Sequence, residues 1–119
     1  MGQISMSYNL LFDTNFNNVK CNTWKLTNCE YVDGYIVGKG KIYSIEQEIV
    51  LPDITKLYAS FEYLTFDRKI KYVYCGIVSG GEMHVTRKRP SFKRRKRVAV
   101  VVTPTTEKVT VMYTFHATS

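Results

Sequence analysis

Eight of the eleven residues from Arg87 to Arg97 are basic: Arg87, Lys88, Arg89, Lys93, Arg94, Arg95, Lys96 and Arg97. Without them nine basic residues face ten acidic ones, so the net charge of +7 falls to −1 and the rest of the chain is close to neutral. A run of like charges repels itself and is expected to be an exposed, extended loop and strand start, 87–97, poorly ordered unless it meets an anion. The chemistry it offers is contact with a polyanion: nucleic acid, acidic glycan or an acidic protein face. The plainer reading is a solvated loop that keeps a sheet edge from aggregating. Phe92 is the one aromatic inside the run, so the interleaved aromatics of a single-strand binding platform are missing.

Other reactive residue types are sparse. His84 and His116 lie far apart, and neither has a Cys or carboxylate at ligand or triad spacing. Glu46 and Glu48 share one strand face at ~7 Å, a separation that suits glycosidase carboxylates but is ordinary on a solvent-facing strand. Cys21, Cys29 and Cys75 do not follow a zinc spacing; Cys21 and Cys29 could close a short loop in an oxidising compartment, but the odd count favours three free thiols in a reducing cytoplasm. No enzyme activity, metal or cofactor is expected from these residues. Four tyrosines are a different matter. Tyr72 and Tyr74 fall on the strand face opposite Val73, Cys75 and Ile77, with Tyr58 and Tyr63 on the strand before. Such rings could stack on sugars while their hydroxyls bond the sugar edges, or they could fill a subunit interface.

The elements that must position these residues are strands. At 119 residues there is room for one domain, 1–119, with one core. Nine Tyr, six Phe and many Val and Ile suit a pleated, half-buried surface. Asp33-Gly34 between Tyr31-Val32 and Tyr35-Ile36-Val37 predicts a hairpin with a type I′ turn. Gly80-Gly81 predicts a second hairpin within Ile77 to Val85, and Thr103-Pro104-Thr105-Thr106 a third joining Val98–Val102 to Val109–Phe115. Tyr43, Ile45, Ile49 and Leu51 form one buried face that Gln47 interrupts, as a bulge or a buried hydrogen bond. Leu57 to Phe66 is apolar on both sides, the pattern of an interior strand. No helical period, repeat or membrane-length apolar stretch is visible. Met1-Gly2 through Met6 opens neither a secretory signal nor a myristoylation motif. The expectation is an all-β, antiparallel two-sheet β-sandwich of about eight strands.

The order of several short pieces resembles jelly-roll carbohydrate-binding modules of bacterial glycanases and related phage domains. These pieces are Asn9-Leu10-Leu11, Asn15-Phe16, Asn22-Thr23-Trp24, the run Ile45 to Pro52 around Gln47, and Tyr58-Ala59-Ser60-Phe61-Glu62-Tyr63. The resemblance implies a jelly roll with Trp24 in its core. The family's last strand often ends in an Asp that helps hold calcium, whereas this chain ends His116-Ala117-Thr118-Ser119, so no metal is carried over. The absence of an attached enzyme and of a secretion signal adds a context. The expectation is a phage virion component (capsid decoration, fibre or tail protein), assembled in the host cytoplasm and docking on other subunits in an oligomer. The alternatives are an autonomous carbohydrate-binding module and a nucleic-acid-binding protein acting through the basic segment.

Overall fold

The computed structural model describes residues 24–33, 35–51 and 56–118. The segments before Trp24, Cys21 among them, and the turn residues Gly34 and Pro52 lie outside the described residues. Among the described residues nine strands follow in order: β1 (Lys25–Thr27), β2 (Cys29–Val32), β3 (Tyr35–Gly38), β4 (Ile42–Val50), β5 (Leu57–Tyr63), β6 (Ile70–Ser79), β7 (Glu82–Lys88), β8 (Lys96–Val102) and β9 (Lys108–Ala117). One sheet runs β1-β4-β9-β6-β7, β5 pairs with β8 in a second layer, and β2-β3 form a separate hairpin, every pairing antiparallel. This is the antiparallel sandwich the alternating pattern predicts.

Period-two alternation decides which side chains meet. From the five-stranded sheet, Ile45, Ile49, Val73, Cys75, Ile77, Val109, Val111 and Tyr113 point inward; from β5 and β8, Ala59, Tyr63, Val98, Val100 and Val102 meet them. Val73, Cys75 and Ile77 have no exposed surface at all, and each fully buried aliphatic side chain stabilises the fold by roughly 1.5–3 kcal/mol. Phe61 stacks on Tyr113 with ring centroids 3.9 Å apart, and Trp24 joins the same stack at 5.7 Å from Tyr113. Two polar contacts also cross between the layers: the Tyr113 hydroxyl donates to the Ser60 carbonyl at 3.2 Å, and the Cys75 thiol to the Ala59 carbonyl at 3.5 Å. Trp24 is 2% exposed, in the core position the family resemblance implies.

Two of the three expected hairpins form. β2 and β3 close with Val32 opposite Tyr35 and Asp33 at φ 48°, and β6 and β7 close with Ser79 opposite Glu82 around Gly80 and Gly81 at φ 58° and 82°. The third does not. β8 pairs with β5, whereas β9 lies between β4 and β6, so residues 103–107 carry the chain from one layer to the other. A proline after a strand ends it equally well at a layer change and at a hairpin, and the local pattern does not separate the two. β5 is not an interior strand either: among the described residues it pairs with β8 alone, and Tyr58 faces outward. Its two-sided apolar look comes from that exposed ring and from Leu64 and Phe66, which lie beyond the strand end. Gln47 keeps its register opposite Val111, so it is a buried polar residue in the row and not a bulge.

Candidate functional site

The β2-β3 hairpin leans over the end of the sandwich where β4 begins and β5 and β9 finish. Between them opens a cleft of about 830 Å³, walled by Tyr31, Tyr35 and Ile36 from the hairpin, Tyr43 from β4, Phe61 and Tyr63 from β5, Phe66 from the following loop, and Phe115 from β9. The rings are set by one another. Tyr43 stacks on Phe115 at 5.1 Å, Phe115 meets Phe61 edge-on at 6.1 Å, and Tyr35 meets Phe66 edge-on at 5.7 Å. Tyr35 and Phe66 stand 57% and 51% exposed at the mouth, so two large rings in edge contact stand where a ligand would meet them.

The charged residues around the cleft are Lys41, Lys69, Asp67 and Glu62, the last with its carboxylate turned to Arg95 and Arg97. Asp67 is fixed by the Lys69 backbone N–H, donated to Oδ1 at 2.8 Å, and the adjoining backbone closes through Ala117 N–H to the Lys41 carbonyl at 2.7 Å and Thr118 N–H to the Lys69 carbonyl at 2.8 Å. Burial pushes the Tyr43 hydroxyl up to about 12, with the Asp67 charge adding to it, so this ring stays neutral across the physiological range. The Tyr63 hydroxyl is buried without a hydrogen-bond partner, the one such side-chain atom among the described residues. An unmet buried hydroxyl is destabilising, and such groups concentrate where something else completes them.

The four tyrosines singled out from the sequence do not form one row. Tyr63 turns inward to the cleft wall; Tyr58, 60% exposed, faces outward from β5 opposite Val101. Tyr72 and Tyr74 sit 6.2 Å apart on the outer face of the other sheet. Residues 58 and 63 differ in parity, which sends them to opposite faces of one strand. The cleft rings that sequence reasoning missed, Tyr31, Tyr35, Tyr43, Phe61, Phe66 and Phe115, come from four separate stretches. Their local signal was only the density of aromatics beside the Asp33-Gly34 turn and after Tyr63.

The basic run is likewise divided: it holds the expected loop and strand start, but its first two residues belong to the preceding strand. Arg87 and Lys88 end β7, Lys96 and Arg97 begin β8, and the residues between cross from one layer to the other. The crossing is tied down by Lys93 N–H to the Thr65 carbonyl at 2.8 Å, with Lys93 at φ 58°. Arg95 and Arg97 both reach Glu62 on the outer face of β5, at 2.7 and 3.3 Å. Their bonds and charges hold the Glu62 carboxyl below its usual range. Lys88 Nζ donates to the Arg97 carbonyl at 2.9 Å and Lys96 Nζ to the Arg89 carbonyl at 3.2 Å. Arg68 and Lys93 lie over the Phe92 ring. Arg87 and Arg89 turn to the other sheet, around Tyr72.

Glu46 and Glu48 face Lys25 and Lys108 at 3.6 and 3.5 Å, and His84 sits 3.5 Å from Glu82. Glu46 is half-buried and the other acidic partners are exposed, so the two carboxylates of β4 are each taken up by a lysine. Among the described residues no three His, Cys, Asp or Glu side chains converge as a metal would require.

No protein-family model matches the sequence, and no curated protein matches it either. The fold does have a solved counterpart: a carbohydrate-binding module, TmCBM61, whose structure was determined in complex with β-1,4-galactotriose. The two superpose with a TM-score of 0.68 over 93% of this chain and 89% of that one, at 13% sequence identity. At that identity the likeness is one of fold, and it agrees with the sandwich and the carbohydrate-binding-module-like order of pieces.

Proposed function

We propose that this chain is a non-catalytic glycan-binding module that holds an oligosaccharide in the aromatic cleft at the β2-β3 end of the sandwich. The observation that carries the reading is the pair Tyr35 and Phe66, in edge contact and half exposed at the mouth of a cleft lined mainly by aromatic rings. Sugar rings present apolar C–H faces to aromatic rings and hydroxyl edges to polar groups, and a neutral sugar gains nothing from a net charge. A fold shared with a module that was solved with β-1,4-galactotriose supports the same reading. This exchanges the order of the two readings drawn from the sequence, putting glycan binding ahead of virion docking.

The test is titration calorimetry with neutral trisaccharides, β-1,4-galactotriose first, then cellotriose and xylotriose. Tyr35→Ala and Phe66→Ala should each weaken binding about tenfold or more while leaving the melting temperature nearly unchanged, since ring stacking is worth roughly 0.5–1.5 kcal/mol beyond area. Tyr63→Phe should weaken it without loss of stability, because it removes a hydroxyl that has no partner. No binding to any neutral saccharide by the unaltered chain would defeat the proposal.

A second reading, docking on other subunits of a viral particle, draws on a different surface. Ile42, Val50, Met83 and Val85 stand exposed on the outward face of the five-stranded sheet. Presence of the chain in purified particles would support it.

A further inference from the structure

The outer face of β6 and β7 carries a second constellation, away from the cleft. The β6-β9 register shifts between Ile70 and Tyr72, and Lys71 Nζ at that point lies 5.7 Å from the Tyr72 ring centre. The Arg87 guanidinium lies over the same ring at 4.4 Å, and Arg89 at 5.5 Å also donates from Nη2 to the Tyr72 hydroxyl at 3.3 Å. One tyrosine thus holds two guanidinium forks and an ammonium on a single face. Among the described residues, none of Lys71, Arg87 and Arg89 has an acidic partner, in contrast to Arg95 and Arg97 on the opposite layer, which share Glu62. The cationic surroundings also lower the Tyr72 hydroxyl's tendency to keep its proton, through the Arg89 bond first and the Arg87 and Arg89 charges next.

We propose that Lys71, Arg87 and Arg89, held around Tyr72, form a second binding site for the carboxylate or sulfate groups of an acidic polysaccharide. The proposal rests on the reading of the chain as a glycan binder. Guanidinium forks suit planar, bidentate contact with such anions, and stacking on a ring fixes them before the ligand arrives. Met83 and Val85 continue the same face with apolar surface, 58% and 49% exposed, that a sugar ring can cover. Nucleic acid fits less well. A duplex needs a continuous cationic stripe, but the crossing from β7 to β8 divides this run between two layers, on one of which Arg95 and Arg97 are paired with Glu62. A single strand needs open aromatic faces, and the Tyr72 face is already covered by Arg87.

The experiment compares the unaltered chain with two double variants in binding to polygalacturonate, chondroitin sulfate, and single- and double-stranded 20-mer DNA at matched charge concentration. The expected result is binding to one of the acidic polysaccharides, weakened about tenfold or more by Arg87→Ser with Arg89→Ser. Arg95→Ser with Arg97→Ser should change it by about twofold at most, as those charges are already paired. Equal losses in the two variants would mean diffuse attraction and overturn the site. Tighter binding to either DNA would overturn the ligand class, and no binding to either polysaccharide at low salt would overturn both. Tyr35→Ala should leave acidic binding intact. The neutral trisaccharides therefore report on the cleft and the acidic polymers on this face, and either can fail alone.

Discussion

Gly38 lies so close to the Tyr43 ring that a Cβ at residue 38 would occupy the space the ring fills. The contact fastens the end of β3 to the start of β4, and therefore the hairpin wall of the cleft to the sandwich beneath it. Gly38→Ala should destabilise the fold by about 1–3 kcal/mol through overpacking, and displacement of Tyr43 should also weaken saccharide binding. Gly40→Ala is the control, because a Cβ there meets nothing. Chemical denaturation of both variants checks the expectation, and equal stability would show that the ring has room to move.

The basic run should separate into side chains that support the fold and side chains that do not. Lys88 and Lys96 bond carbonyls of each other's strand neighbours across the β7-β8 crossing. Replacing both by Met should cost about 1 kcal/mol, read as a melting-temperature loss of about 4 °C. Lys93→Ser with Arg94→Ser should stay within about 0.5 kcal/mol, as exposed charges generally do. A uniform, negligible effect would return the whole segment to the status of a solvated loop, as the sequence alone suggests.

Alternation made the sandwich legible: Val73, Cys75 and Ile77 against Tyr72 and Tyr74 placed β6 correctly, and the Gly80-Gly81 turn was equally plain. Strand pairing was not, because nothing in Val98–Val102 says whether its neighbour is β9 or β5. The site was least legible. Tyr31, Tyr43, Phe66 and Phe115 come together only once β2-β3 folds over the sheet end, and long-range closure of that kind leaves no periodic trace. The division of the basic run was hidden for the same reason, since it follows from the chain crossing between layers after β7, which the local pattern does not announce.

Ser79 organises the layer change that the sequence presents as a hairpin. Its Oγ accepts the Thr105 and Thr106 backbone N–H groups at 3.0 and 3.3 Å. Thr106 Oγ1 gives its proton to the Lys108 carbonyl at 2.8 Å, so the Ser79 hydroxyl donates to Thr106 at 3.0 Å. Ser79→Ala would leave two N–H groups without an acceptor in a part-buried site. We expect a loss of about 1–3 kcal/mol, measured by denaturant melts. A change below about 0.5 kcal/mol would mean that water replaces the hydroxyl there.

Stability should fall on the alkaline side. Burial pushes the Cys75 thiol from its ordinary 9.0 up to about 12, and the Tyr43 hydroxyl from 10.0 up to about 12. Tyr113 and Cys29 are raised for the same reason, and Tyr63 as well. A raised value means the folded chain keeps a proton that the unfolded chain releases. Below pH 9 both states hold these protons and stability does not depend on them; from pH 9 to about 12 the unfolded state binds fewer, so unfolding becomes easier as pH rises. On the acid side the resolved carboxylate shift is that of Glu62, an exposed group, and it contributes little. Melting temperatures from pH 5 to 11 should therefore be level and then fall above about pH 9. Cys75→Ala should flatten the first part of that fall while lowering the plateau, because it leaves a small cavity. In the native state the thiols of Cys29 and Cys75 should resist alkylation at pH 8, since neither presents an accessible thiolate. A decline that begins below pH 8, or rapid alkylation of Cys75, would show that the interior opens more readily than its packing implies.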